Sequence, residues 1–140
     1  MAVERTLFIV KPDAVARQLI GRILAHVEDA GFRIVEARFA TMTRAEAEEF
    51  YAEHVGKPFF AGLVEFMTSG PSMITCLERE QAVSKLREVI GATDPKEAAP
   101  GTIRALYAES KGRNSVHASD KPSSAEREIR ILFAPRAAAR

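Results

Sequence analysis

The stretch that most limits the fold is Thr6-Leu7-Phe8-Ile9-Val10, which is apolar on both of its faces and reads as a central strand of a sheet. Lys11-Pro12-Asp13 cuts it off at once. A lysine that closes a buried strand is costly to hide. Lys11 therefore either points into a polar cleft or snorkels from the strand end.

Downstream, Ile20, Ile23, Leu24 and Val27 fall at helical spacing, and Gly31 is a suitable stop. Residues 33–41 read as a second strand through Ile34, Val35, Ala37 and Phe39. Thr43-Arg44-Ala45-Glu46 has the capping-box pattern, and the helix it opens puts Ala47, Phe50, Tyr51 and His54 on one face. Tyr51 can face core or cleft, and His54 takes the structural reading. Lys57-Pro58 breaks the chain. Phe60, Leu63, Val64 and Met67 then form a stripe ended by Ser69-Gly70-Pro71. Phe59, just before that stripe, is either a stacking platform or a hydrophobic staple, and spacing alone favours the staple.

Residues 72–77 read as a third strand and 81–90 as a helix with Val83, Leu86 and Ile90 inward. Arg87 projects slightly off that inner face. An arginine there wants an anion, supplied by a ligand or by a carboxylate on a neighbouring element. Residues 91–114 carry Gly91, Pro95, Pro100, Gly101 and Gly112, with at most a short helix near Ile103 to Leu106. So long an irregular connection inside a compact domain is functional or disordered, and this one is too apolar in places for a plain linker. Thr93, Arg104 and Asn114 are its polar candidates.

Asn114-Ser115-Val116-His117-Ala118-Ser119-Asp120 reads as a short fourth strand over 115–117 that delivers His117 to a cleft and turns at Asp120-Lys121-Pro122. A neutral imidazole is nucleophilic near neutral pH. Taken alone, the heptad does not beat an ordinary histidine at a strand-to-helix turn. Ser123-Ser124-Ala125-Glu126 then suggests a second capping box, on a helix that buries Ala125, Ile129 and Leu132 with Glu128 on its flank.

The resulting order is strand, helix, strand, helix pair, strand, helix, loop, strand, helix. It predicts an α+β, ferredoxin-like sandwich: a four-stranded antiparallel sheet, its first and third strands central, with a long functional loop before the last strand. Helices are expected to cover one face. With 140 residues and 46% hydrophobic content the chain suits one domain, over 1–133, followed by a low-complexity tail at 134–140. A net charge of +1 argues against non-specific nucleic-acid binding as its purpose. The single cysteine, Cys76, sits in an apolar run and reads as a core residue. No apolar run nears membrane-spanning length. Met1-Ala2-Val3 leads into a strand without a signal-peptide pattern, so cytoplasm is the expected location.

The polar residues without a bland explanation are cations (Lys11, Arg87, Arg104), hydroxyls (Tyr51, Thr93), a ring (Phe59), an amide (Asn114), a carboxylate (Glu128) and His117. Such a set suits a polyphosphate ester, in which cations neutralise phosphate, a ring stacks on a base, and amide and lysine reach a sugar. No Gly-x-x-x-x-Gly-Lys loop is present to cradle phosphates.

The chain resembles the nucleoside diphosphate kinase family from nearly end to end. The matching stretches are TLFIVKPDA from Thr6, FYAEHVGKPFF from Phe50, FMTSGP from Phe66, GATDPKEAAPGTIR from Gly91 and NSVHASD from Asn114. Several separated motifs in the right order make the match specific. The resemblance implies a ping-pong phosphoryl transfer from a nucleoside triphosphate such as ATP to a nucleoside diphosphate, with His117 as the nucleophile. Its δ nitrogen would attack while the other nitrogen donates to Glu128, which Ser119 supports. Lys11, Arg87, Thr93 and Arg104 match phosphate-contacting positions, Asn114 with Lys11 the ribose pair, Phe59 the base-stacking position, and Tyr51 a hydroxyl near the transferred group. Stacking without hydrogen bonds to base edges implies broad base specificity. The resemblance further implies magnesium held mainly by the nucleotide rather than by a protein cluster, and a homo-oligomer, tetramer or hexamer.

One position departs from the family pattern. Ala118 stands where glycine usually follows the histidine, and a glycine-only dihedral would not tolerate it. A nucleotide-binding module that lost turnover through Ala118 is thus a second reading. A nucleic-acid-binding sheet is a third, opposed by the near-neutral charge and the lack of paired exposed aromatics on the strands.

Overall fold

A computed structural model describes residues 3–111 and 113–138, without the side chains from 134 onward. Along the chain come β1 (Val3–Val10), α1 (Pro12–Ala16), α2 (Ile20–Asp29), β2 (Arg33–Ala40), α3 (Arg44–Phe50), α4 (Phe60–Met67), β3 (Ser72–Glu80), α5 (Ala82–Ile90), α6 (Ile103–Tyr107), β4 (Val116–Ala118) and α7 (Pro122–Ala138). The strands form one antiparallel sheet in the order β2-β3-β1-β4, so the first and third strands are central, as expected for a ferredoxin-like sandwich.

The expectation that helices cover one face is wrong. Successive side chains of a strand point to opposite sides. In β1, Phe8 and Val10 join a core with Ile23 and Val27 of α2 and Leu86 and Ile90 of α5. Leu7 and Ile9 join a second core with Phe50 of α3, Val64 and Met67 of α4, and Leu132 of α7. All four of these β1 side chains are fully buried. Each contributes roughly 1.5–3 kcal/mol relative to exposure, which is why both faces must be covered.

Local chemistry sets most boundaries. Thr43 Oγ1 accepts the Glu46 N–H at 3.1 Å, and Glu46 Oε1 accepts the Thr43 N–H at 3.0 Å, completing the capping box read from the sequence. Gly31, at φ +92°, takes the left-handed turn after α2. The second capping box does not form as read. α7 opens at Pro122, so Ser123 lies inside the first turn and not at the cap; proline suits that opening position because its missing N–H has no partner there anyway. The short α1 has no periodic signal and was not foreseen.

In the connection from 91 to 114, α6 is the expected short helix and Gly112 lies outside the described residues. Met1 and Ala2 lie outside them as well. The proposed tail at 134–140 is helical in backbone as far as Ala138, and its side chains and last two residues lie outside the described residues. Cys76 is a buried free thiol. Among the described residues, no helix is long and apolar enough to cross a membrane.

Candidate active site

A cleft of about 700 Å³ opens where the C-terminal end of β1 meets β4. Antiparallel pairing sets His117 opposite Ile9, at the sheet edge where the cleft begins. Its ring meets Phe50 edge-on at 5.0 Å. Its Nε2 lies 3.0 Å from Glu128 Oε1, and the Ser119 hydroxyl donates to the same oxygen at 2.7 Å. Glu128 and Ser119 are buried, so this chain of contacts is fixed from behind. A carboxylate only accepts, so in the neutral imidazole Nε2 carries the proton and Nδ1 keeps its lone pair.

Three cations come from separate elements. Lys11 follows β1 directly as the N-cap of α1, and its Nζ lies 5.7 Å from the Phe66 ring centre. Burial pushes its pKa down to about 8; the Asp13 charge opposes that shift and Arg104 adds to it. Arg104, on α6, donates from Nη1 to the Gly91 carbonyl at 3.1 Å and from Nη2 to the Val116 carbonyl at 2.9 Å. Burial, then the charge of Arg87, lowers its pKa to about 10. Gly91 is needed here. It has φ +87°, and a side-chain carbon would meet Thr102 Oγ1 at 2.4 Å. Arg87 donates to the Ala118 carbonyl at 3.2 Å, so its hydrogen-bond partner is a backbone oxygen rather than the alternative carboxylate. A guanidinium has five N–H donors, and each arginine keeps some for an anion.

The remaining polar candidates converge on the same space. Asn114 Nδ2 reaches the Thr93 carbonyl at 3.4 Å, while its Oδ1 is buried without a hydrogen-bond partner. Tyr51 lines the cleft; burial raises its hydroxyl pKa, with the Glu128 charge adding to the effect. Phe59 sits at the N-cap of α4, lines the cleft and is 49% exposed, which does not suit a staple. Of the residues singled out from the sequence, only Ser119 is not part of the cleft wall; it acts behind Glu128.

His54 departs from its structural reading. α3 ends at Phe50; Tyr51, its C-cap, still packs partly against the core of Ala47 and Phe50, but His54 does not continue that face. The ring of His54 lies on the cleft wall 5.2 Å from Phe59, between it and Tyr51. Phe66, Arg113 and Asp120 also line the cleft and were not foreseen. None follows a periodic pattern; the signals the sequence offered were that Arg113 stands beside Asn114 and Asp120 beside Ser119. Asp120 is held low by a hydrogen bond from Ser124. Ala118 resolves simply: it is extended in β4, pairs with Phe8, and its methyl packs in the core, so no glycine-only geometry is required.

Comparison with known proteins agrees with this arrangement. The family model for nucleoside diphosphate kinase matches residues 4–138. A nucleoside diphosphate kinase of Leptothrix cholodnii is 57% identical over 133 residues, covering 95% of this chain and 94% of the relative. One from Paracidovorax citrulli is 56% identical over the same length and coverage. Among solved structures, the Aquifex aeolicus nucleoside diphosphate kinase superposes with a TM-score of 0.91 at 48% identity, covering 94% of this chain and 96% of that one. The Halobacterium salinarum enzyme, solved in complex with CDP, gives 0.91 at 45%, covering 94% and 88%. With its sheet order, its cationic cleft and this breadth of similarity, the chain belongs to the nucleoside diphosphate kinase family of phosphotransferases.

Proposed function

We propose that the protein moves the terminal phosphoryl group of a nucleoside triphosphate to a nucleoside diphosphate in two half-reactions through His117. In the first, the Nδ1 lone pair attacks the γ-phosphorus. The bond from that phosphorus to the β–γ bridging oxygen breaks, and the diphosphate leaves with the electron pair. In the second, a terminal β-phosphate oxygen of the acceptor attacks the same phosphorus and the N–P bond breaks. The observation that carries this reading is the Nε2–Glu128–Ser119 chain, which fixes the tautomer and leaves the other ring nitrogen of a cleft-lining histidine nucleophilic.

Lys11, Arg87, Arg104 and Thr93 hold the phosphates, and Tyr51 places its hydroxyl near the transferred group. Phosphoryl transfer runs through a loose transition state, so such positioning and charge carry the catalysis. Asn114 with Lys11 contacts the ribose, and the exposed Phe59 ring stacks on the base at about 1–3 kcal/mol without reading its edges. Broad base specificity follows from that kind of contact. The CDP bound by the Halobacterium salinarum relative supports a diphosphate as one partner. Glu53 and Asp120 are carboxylates on the cleft wall, and a third, Glu128, is engaged by His117 and Ser119. That donor set fits a magnesium ion carried chiefly by phosphate oxygens. When bound, the ion neutralises charge on the phosphates. We further infer a cytoplasmic homo-oligomer, a tetramer or hexamer, whose mass light scattering would give, and a globular unit over 1–133.

Incubation with γ-labelled ATP should leave acid-labile, base-stable phosphate on the protein, which a diphosphate then removes. His117→Ala should abolish that label and cut transfer by on the order of 1,000-fold or more while keeping nucleotide binding. Undiminished label on His117→Ala would overturn the assignment.

A further inference from the structure

Asp13 is buried, and beyond its charge effect on Lys11 its hydrogen bond is not used above. It stands one residue past Pro12, behind the Lys11 end of β1. Its Oδ2 accepts the backbone N–H of Ser115 at 3.0 Å, across a sequence separation of 102 residues. Ser115 is a non-glycine residue at φ +75°, and the Val116 N–H reaches over it to the Asn114 carbonyl at 2.9 Å. An i to i+2 hydrogen bond around a positive φ marks the rare, strained form of the γ-turn. Strain of this kind persists only where surrounding contacts over-determine it, and it costs of order 1–3 kcal/mol. Here the contacts are Asp13 on the Ser115 N–H and the Lys11 N–H on the Ser115 carbonyl at 2.9 Å. The turn they hold lies between Asn114 and His117, so its shape sets how both side chains enter the cleft.

We propose that Asp13 is a positioning residue of the transfer site: one carboxylate oxygen pins the strained Ser115 turn that aims Asn114 and His117, and its negative charge steadies the ammonium of Lys11. The proposal rests on the transfer mechanism given above and deepens it. Lys11 makes no ion pair among the described residues, so its charge depends on longer-range terms. Asp13 of α1 favours the ammonium, and Arg104 of α6 opposes it. The Phe66 ring of α4 faces both Lys11 and Arg113, and Arg87, His117 and Glu128 line the same cleft. Asp13 is thus the carboxylate whose removal exposes Lys11 to its cationic neighbours.

Two variants of the full chain separate the two roles. Asp13→Asn keeps an oxygen able to accept the Ser115 N–H but loses the charge; Asp13→Ala loses both. With ATP and dCDP, whose bases do not titrate in the alkaline range, Asp13→Asn should keep the neutral-pH kcat within about threefold, and its alkaline fall in kcat/KM should move to lower pH by on the order of one unit. Asp13→Ala should lose roughly 10- to 100-fold in kcat, a loss that Asp13→Asn largely restores. An alkaline limb in Asp13→Asn coincident with the wild type overturns the charge role. A kcat in folded Asp13→Ala within threefold of wild type overturns the clamp, and if that variant fails to fold, a loss of roughly 10- to 100-fold in kcat of folded Asp13→Asn at neutral pH overturns it instead. Labelling of the wild type by γ-labelled ATP, run beside these assays, tests the phosphohistidine mechanism separately.

Discussion

β1 buries Leu7, Phe8, Ile9 and Val10 completely, and these side chains need nothing beyond their packing neighbours. The cleft beside it buries a different material. In its wall and just behind it, Asp13 Oδ1, His54 Nδ1, Arg104 Nε, Asn114 Oδ1 and Ser115 Oγ are enclosed without a hydrogen-bond partner among the described residues, against Thr6 Oγ1 and Ser72 Oγ within the strands. An unmet buried polar atom costs about 1–3 kcal/mol, whereas an apolar side chain gains by the same burial. The comparison teaches that the sheet supplies the stability and the cleft draws on it. Along the end of β1 and the approach to β4, phosphate oxygens can accept from Arg104 Nε, and a sugar hydroxyl can donate to Asn114 Oδ1.

That division can be broken from either side. Leu77→Ala, deep in the α2–α5 core, should remove about 2–5 kcal/mol of stability in denaturant titrations yet leave transfer per folded molecule unchanged. A collapse of kcat in still-folded protein would show that core and cleft are not separable. Arg87→Ala is the converse. Arg87 is exposed and, among the described residues, hydrogen-bonds one carbonyl, so melting should hardly change while transfer falls roughly 100- to 1,000-fold. Wild-type turnover in that variant would remove Arg87 from the phosphate site.

A smaller effect comes from pH. With a pKa near 8, the Lys11 ammonium is present below that value and lost above it. The kcat/KM should therefore fall as pH rises through about 8, approaching tenfold per unit at the limit. Lys11→Arg should flatten that limb, because its cation does not titrate there. An unchanged limb in Lys11→Arg would assign it to another group. The smallest change expected is in Thr43→Ala, which removes one arm of the capping box. It should cost about 1 kcal/mol in stability with no effect on transfer, since the box lies outside the cleft.

The first capping box was legible because all its atoms lie within four neighbouring residues. The second was misplaced because Pro122, a better opening residue, precedes the serine. The site candidates were legible as residue types without a core role, sharpened by the ordered motifs of the family resemblance. His54 was misjudged because helical spacing was carried past Phe50, where α3 stops. Phe66 and Arg113 were missed because a helical aromatic and a loop arginine look alike in any chain; what distinguishes them is that Lys11 and Arg113 both lie over the Phe66 ring on the cleft wall.

From the sequence alone came the strands, the longer helices, the central place of β1 and the set of side chains suited to a nucleotide. Those follow from periodicity and from chemistry carried by single residues, which neighbours in the chain suffice to express. Tertiary structure alone decided that helices cover both faces, that His54 joins the cleft wall, and that Asp13 grips the turn at Ser115. These are contacts between distant segments. Their strength depends on ångström-scale placement and burial, which exist only once the sheet has brought the ends of β1 and β4 together.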